Sequence, residues 1–349
     1  MMTSKERVFA TFNFEPTDRV PFVLLDGSSW MIQQDNMSFA EQYELPDVGA
    51  AQLVRLSEMI NSDTINSANS AAGAWMTAFG ADITLNGVGL PHKTSPFVKD
   101  PFTDLPEDIS YDAIRATLSE NKFIKLMIKQ NEEVKKLIGD EKPICAGITA
   151  PFTSAAISTG AAPFMKFLRK KPEAVARLVD FASTVCAVLN DLYAESGADI
   201  IATADPVGSG DMISLKMYQD LAVPAYKQFL EKRKHDLPII MHICGNAGER
   251  LEDCMALGCK AFSIDSMVDV EDLLKRADHK ICVMGNLSPA EQLMLGTPES
   301  VYAESTRLLD LAKANNGGFI ISGGCDIGSK AVVENVLTIT KATKDHAAG

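Results

Sequence analysis

The chain of 349 residues is long enough for two average domains or for one α/β barrel that carries insertions. Its hydrophobic content of 46% and charged content of 23% are ordinary for a globular protein and do not indicate disorder. A net charge of −13 argues against nucleic-acid binding, and no run reaches the roughly 18 apolar residues of a membrane span. We therefore expect a cytoplasmic protein that binds neither nucleic acid nor membrane.

Apolar runs of strand length alternate with helical patterns along the whole chain. The first element is a predicted helix over Ser4–Phe12. Eight apolar runs that follow are predicted strands, at 20–26, 63–66, 143–149, 199–204, 238–244, 261–265, 280–285 and 319–323. Between the third and fourth strands, Pro172–Glu195 carries an apolar stripe at helical spacing, which predicts a helix. It ends at Ser196-Gly197, where glycine suits a helix end.

One region is too long for a simple connection between neighbouring strands. The stretch from about 71 to 142 follows the second strand, and its part 79–98 is rich in Gly, Pro, Asn and Thr. This composition predicts a hairpin or lid, and a helical pattern begins at Tyr111. We interpret 71–142 as an insertion within a single domain that spans 1–349.

The order of the elements predicts the fold class. Eight strand-helix units with near-continuous apolar strands indicate a parallel sheet that helices cover on its outer face. We therefore predict an α/β protein, a TIM (β/α)8 barrel with an N-terminal helix and an insertion after the second strand. A doubly wound open sheet is the alternative. In such a barrel the chemistry lies at the C-terminal ends of the strands, so polar residues there are the candidates for function.

Three of these residues form a candidate metal site. His242 and Cys244 are two positions apart at a strand end, so their side chains point to the same face, and Cys325 follows the last strand. One imidazole and two thiolates, with room for a fourth partner, form the ligand set of catalytic zinc. Asp265, at the end of the strand between them, is either a fourth ligand or gate, or a carboxylate that caps the next helix.

Two further residues are candidates for substrate binding. Asp205 precedes a proline and a glycine-rich loop, and Asn286 lies between Gly285 and Leu287 at a strand end. The alternative for both is a local role in turn geometry. The remaining cysteines lie in apolar runs and are expected to be buried, reduced thiols: Cys145, Cys186, Cys254, Cys259 and Cys282.

Five segments give the chain a resemblance to a known family. They are ERVFATFNFEPTDRVP at 6–21, ADIIATADP at 198–206, HICGN at 242–246, GNLSP at 285–289 and GGCDI at 323–327. On these motifs the sequence resembles the uroporphyrinogen decarboxylase superfamily, a family of (β/α)8 barrels, over nearly its full length. Within it, the sequence is most similar to methylcobalamin:coenzyme M methyltransferases, whose zinc site of His-x-Cys and a distant Cys corresponds to His242, Cys244 and Cys325.

The resemblance implies a zinc-dependent methyl transfer between a corrinoid and a small acceptor. The corrinoid is methylcobalamin or the cofactor of a partner corrinoid protein, and the acceptor is a thiol such as coenzyme M, which zinc holds as thiolate. The alternative is demethylation of a methoxyarene, methylamine or methyl halide onto cobalt(I), with Trp30, Trp75 and Phe152 around the pocket. A third alternative is a metal-binding or corrinoid-docking protein without catalysis. The resemblance to the family also suggests that the protein is a homodimer.

Decarboxylation fits the chain poorly. Uroporphyrinogen decarboxylases carry an arginine-bearing segment of the form RQAGRY after the first strand, which suits a substrate with many carboxylates. The corresponding segment here, at 26–31, contains no arginine. Without the guanidinium groups of these arginines, the ion pairs with the carboxylates of such a substrate are lost.

Overall fold

The computed structural model describes residues 2–25, 28–67, 73–84, 92–93 and 96–348. Its strands are β1 (Ile65–Ser67), β2 (Ile83–Thr84), β3 (His92–Lys93), β4 (Ile144–Thr149), β5 (Ile200–Ala204), β6 (Ile239–Ile243), β7 (Ala261–Ile264), β8 (Cys282–Leu287) and β9 (Phe319–Gly323). Seven of them form one sheet in the order β1-β4-β5-β6-β7-β8-β9, and every neighbouring pair is parallel. Successive strands are therefore spatial neighbours, as in a (β/α)8 barrel.

Helices follow the strands and cover the outside of the sheet. They are α1 (Ser4–Phe12), α2 (Ser28–Gln34), α3 (Phe39–Glu44), α4 (Pro46–Ile60), α5 (Tyr111–Glu120), α6 (Lys122–Ile138), α7 (Pro151–Thr159), α8 (Ala161–Lys170), α9 (Pro172–Glu195), α10 (Leu215–Met217), α11 (Val223–Lys232), α12 (Leu251–Ala256), α13 (Val270–Ala277), α14 (Pro298–Ala314) and α15 (Val333–Ala348). The predicted bounds of α1 and α9 are confirmed. Among the described helices, none combines the length and apolar composition needed to cross a lipid bilayer.

A short extended segment lies between the two edges of the sheet. Phe22 makes an isolated parallel bridge with Ile321 of β9, and the amide of Val23 donates to the Ile321 carbonyl at 3.1 Å. On its other side, the Phe22 carbonyl accepts from the amide of Asp63, just before β1, at 2.7 Å. The segment thus joins β9 to β1 and closes the ring. The predicted fold class, an α/β barrel of the TIM type, is confirmed.

The prediction of a regular strand at 20–26 is wrong. Side chains take several of the backbone groups that a strand ladder would use, because the Asp63 carboxylate accepts from the Phe22 amide at 2.8 Å and the Asn66 amide donates to the Leu24 carbonyl. Asp26, at the end of the predicted strand, lies outside the described residues. The first position of the barrel is therefore held by polar side chains as well as by the backbone.

The N-terminal end of the barrel is filled by α1. Val8 and Phe12 of this helix are buried against the inward-facing residues of the lowest layer, and the Cys282 thiol donates to the carbonyl of Thr11 at 3.1 Å. The inward residues of that layer are Val23, Cys145, Ile200, Ile240, Ala261, Met284 and Ile320. The bottom of the barrel is thus a packed core without a channel through the described residues.

A buried carboxylate ties this end of the barrel together. Asp63 has no exposed surface and accepts from Arg7 Nη1 at 2.7 Å, from Arg19 Nη1 at 2.7 Å and Nη2 at 2.9 Å, and from Ser4 Oγ at 2.9 Å. Together with the Phe22 amide, these donors link α1, the closing segment and β1. Two arginines, one hydroxyl and one backbone amide make this carboxylate the centre of the N-terminal face.

The region after β1 contains the predicted small hairpin. β2 and β3 are antiparallel, with Ile83 opposite Lys93, which confirms a hairpin within 79–98. α5 begins at Tyr111, as predicted, and α6 follows it before β4. The interpretation of 71–142 as an insertion in a single domain remains a prediction.

Candidate metal centre

Three predicted ligands come together at the C-terminal end of the barrel. His242 lies in β6, Cys244 follows the end of that strand, and Cys325 lies two residues beyond the end of β9. His242 Nε2 is 3.2 Å from the Cys244 sulfur, and the two sulfur atoms are 3.8 Å apart. All three ligand atoms lie within 4.8 Å of one another, so these side chains could hold one metal ion.

The two thiols differ in their affinity for a proton. The contact with the Cys325 sulfur lowers the pKa of Cys244, although burial opposes this effect. The same contact, together with burial, raises the pKa of Cys325 above its usual range. Cys244 is therefore the more acidic thiol of the pair, and Cys325 holds its proton more tightly. A metal ion that binds both sulfurs must displace this proton.

The imidazole of His242 is also held from its other side. Its Nδ1 atom lies 3.1 Å from the hydroxyl oxygen of Ser263, which is the residue directly opposite His242 in the pairing of β6 with β7. Both residues are buried. Ser263 was not among the predicted site residues, although Ser263 and His242 each lie two positions before the predicted end of their strands. The signal was their equal distance from the ends of two neighbouring parallel strands, which places His242 and Ser263 opposite each other.

Asp265 lies beside the centre but contributes no ligand atom to the described group. Its Oδ2 accepts from the amide of Gly245 at 2.9 Å, and its Oδ1 accepts from the hydroxyl of Ser266 at 3.1 Å. The alternative of helix capping is wrong, because α13 is capped by Asp269. A role for Asp265 as fourth ligand or gate remains a prediction, and its observed contact holds the turn after Cys244.

Asn286 lies inside β8, one residue beyond the predicted end of its strand. Its side-chain amide donates to the carbonyls of Asp265 at 3.0 Å and Val268 at 2.8 Å. Both N–H groups of this amide are therefore engaged with the loop after β7. The predicted role in substrate binding is untested, and the contacts that are present orient a loop.

Asp205 is 2% exposed at the end of β5. Its carboxylate accepts from the Thr153 hydroxyl at 2.6 Å, and burial raises the pKa of Asp205 to about 6. Its backbone amide donates to the carbonyl of His242 at 2.8 Å, so the two strand ends are linked. Asp205 contributes no ligand atom to the described cluster, and its role in substrate binding also remains a prediction.

The aromatic residues proposed for a pocket are part of the core. Trp30, Trp75 and Phe152 are 0%, 1% and 1% exposed. Trp30 donates its indole N–H to the carbonyl of Ala331 at 2.8 Å, and Trp75 packs edge-on to Phe97. They have no surface on an open pocket, so the prediction of an aromatic pocket built from them is wrong. The five cysteines outside the site are buried, as predicted.

Comparisons with known proteins give relatives along nearly the whole chain. A methylcobamide:CoM methyltransferase of Methanosarcina mazei is 28% identical over 99% of this chain and 98% of its own length. A methylated-thiol–coenzyme M methyltransferase of the same organism is 26% identical over 72% of this chain and 65% of its own length. A solved methyltransferase structure from Methanosarcina mazei superposes with a TM-score of 0.86 at 22% identity, over 99% of both chains, and supports the fold.

The family model for uroporphyrinogen decarboxylase (URO-D) matches residues 3–346. This match includes both ends of the barrel and every residue of the candidate centre. It agrees with the resemblance that the five motifs indicated, and with the order of the strands. The chain belongs to the uroporphyrinogen decarboxylase (URO-D) family.

Proposed function

We propose that this chain is a zinc-dependent methyltransferase that moves a methyl group between a corrinoid and a small thiol. The observation that carries the proposal is the cluster of one imidazole and two thiols at the C-terminal end of the barrel. Two relatives support it: one is named a methylcobamide:CoM methyltransferase, and the other a methylated-thiol–coenzyme M methyltransferase. The corrinoid is free methylcobalamin or the cofactor of a partner corrinoid protein.

The spacing of the donor atoms fits zinc. Tetrahedral Zn–S bonds of about 2.3 Å separate two sulfur ligands by about 3.8 Å. The Cys244 and Cys325 sulfurs are 3.8 Å apart. His242 would supply the third ligand through Nε2, which faces Cys244, and the fourth position would be open to a substrate. The soft donor set also favours zinc over magnesium or calcium, which prefer oxygen ligands.

The chemistry follows from this donor set. A free thiol with a pKa near 8.5 is mostly protonated at neutral pH, and bound zinc would lower that pKa so that the substrate sulfur is a thiolate. The thiolates of Cys244 and Cys325 offset the charge of a dication, so the substrate sulfur keeps its electron density. In that arrangement the substrate sulfur would attack the methyl carbon, and the cobalt–carbon bond would break with both of its electrons left on cobalt, as cobalt(I).

An assay with methylcobalamin and coenzyme M tests the proposal. The zinc-loaded chain is expected to convert methylcobalamin to cob(I)alamin, followed by absorbance under strict exclusion of oxygen, with S-methyl coenzyme M as the second product. Protein from which zinc has been removed with a chelator is the control, and zinc should restore its activity. A panel of other small thiols then identifies the acceptor.

The same assay separates the proposal from its alternative. If neither coenzyme M nor any thiol in the panel removes the methyl group, the thiol-acceptor function is wrong. Methylation of cob(I)alamin by a methoxyarene or a methylamine, in the absence of thiol, would instead support a chain that demethylates a small substrate. Binding of zinc without either reaction would leave only a metal-binding role.

A further inference from the structure

One short segment contacts His242 itself and the residues next to Cys244 and Cys325, but it contributes no ligand atom to the cluster. It comprises the end of β7 and the turn that follows, residues 263–266, and we call it the 263–266 segment. β7 lies next to β6, which carries His242. The turn also approaches the residue before Cys325. A single stretch of chain therefore reaches both strands that hold the site.

The first contact concerns the ring of His242. The Ser263 hydroxyl lies 3.1 Å from Nδ1, on the side of the ring away from Cys244, which faces Nε2. An Nδ1–H that donates to Ser263 leaves the lone pair on Nε2, the atom that faces the sulfurs. Because the two residues are directly opposite in the β6–β7 pairing, the backbone register itself sets this geometry.

The second contact concerns the turn after Cys244. Asp265 Oδ2 accepts from the Gly245 amide at 2.9 Å, and Asp211 Oδ2 accepts from the next amide, of Asn246, at 2.9 Å. Gly245 has a φ of +66°, and a Cβ there would lie 2.2 Å from the Asp211 carboxylate. The chain direction immediately after Cys244 is therefore fixed from two loops, and only glycine fits at the turn.

The third contact is between backbones. A Cβ on Gly324 would lie 2.5 Å from the Ser266 amide nitrogen, so the residue before Cys325 packs directly on the 263–266 segment. The Asn286 side chain also donates to the Asp265 carbonyl at 3.0 Å. The turn that carries Cys325 is thereby positioned against the same segment that holds His242 and the Cys244 turn.

We propose that the 263–266 segment preorganises the metal site, with Ser263 and Asp265 as positioning residues. The proposal rests on the proposed zinc function, because it concerns the ligands of that ion. Ser263 fixes the tautomer and plane of the His242 ring, and Asp265 fixes the turn after Cys244. Supporting hydrogen bonds of this kind are worth about 10- to 100-fold in metal affinity.

Zinc affinity of purified Ser263→Ala, measured by competition with a chromophoric chelator, tests the first contact. The dissociation constant is expected to rise about 10- to 100-fold, whereas the urea midpoint of the metal-free protein stays close to that of the wild type. Ser263→Thr keeps a hydroxyl and should restore most of the affinity. The control is Ser305→Ala, because Ser305 is a buried serine whose Oγ has no hydrogen-bond partner among the described residues.

A pair of variants at Asp265 tests the second contact. Asp265→Asn keeps an oxygen that can accept from Gly245 and should bind zinc within a few-fold of wild type, whereas Asp265→Ala should weaken binding about tenfold. If Asn is as weak as Ala, the carboxylate is a ligand and its positioning role is wrong. If wild type binds zinc and Ser263→Ala binds it equally well, the inference falls while the proposed function stands. If the wild type binds no zinc, both fall.

Discussion

Replacing Cys325 with alanine is expected to weaken zinc binding by about 100-fold or more and to abolish methyl transfer. Four-ligand zinc sites in small domains bind with about 10–16 kcal/mol, so that one ligand is worth roughly 3 kcal/mol. Each 1.4 kcal/mol corresponds to about a factor of ten in affinity. Cys325, in the turn after β9, is also the only member of the described cluster outside the end of β6, so its loss leaves His242 and Cys244, two ligands from one strand end.

Zinc content after dialysis, and demethylation of methylcobalamin, are the two measurements for this variant. Cys282→Ala is the matched control, because that cysteine is buried at the opposite end of the barrel, against Thr11 of α1. It should lose some stability and keep its zinc. Full activity in Cys325→Ala, with one zinc per chain, would falsify the assignment of the site.

Replacing Asp63 with alanine is expected to destabilise the protein by about 3–5 kcal/mol, the typical cost of removing one partner from a buried ion pair. Asp63 is fully buried, and the side chain of Arg19, one of its two arginine partners, is only 13% exposed. The variant leaves that arginine with poor access to water and removes the acceptor for the Phe22 amide. The segment that closes the barrel between β9 and β1 loses one of its few anchors.

Urea unfolding followed by circular dichroism measures this effect as a fall in the unfolding midpoint. Asp140→Ala is the control, because Asp140 pairs with Lys5 on the same face of the molecule and is solvent-exposed. Its midpoint should stay near that of the wild type, since exposed ion pairs contribute little. Equal midpoints for Asp63→Ala and Asp140→Ala would contradict the role given to the buried carboxylate.

The site was predictable because its ligands obey rules that a sequence displays. Two residues two apart on a strand share a face, and strand ends of a parallel barrel meet at one rim, so His242, Cys244 and Cys325 could be grouped without coordinates. The fold followed from the alternation of apolar runs and helical stripes. The predicted strand at 319–323 and the helix Pro172–Glu195 agree with the structure.

The contacts of polar residues were less predictable, because they depend on partners that are distant in sequence. Asp265 and Asn286 were selected for their places at strand ends, yet their observed hydrogen bonds go to Gly245 and to the loop after β7. Asp63 appeared only as the start of a strand, and its partners Arg7 and Arg19 lie more than forty residues earlier. No local pattern marks such a carboxylate as buried.

Helix α1, which fills the bottom of the barrel, limits the directions from which reactants can approach the candidate centre. Val8 and Phe12 close the N-terminal end of the barrel among the described residues, and the candidate centre lies at the other end. If the proposed transfer uses a corrinoid protein, we expect the small reactant and the large one to approach the centre from this same C-terminal end. Under the proposed function we therefore expect an ordered kinetic mechanism, in which the small thiol binds before the corrinoid protein and the methylated thiol leaves after it.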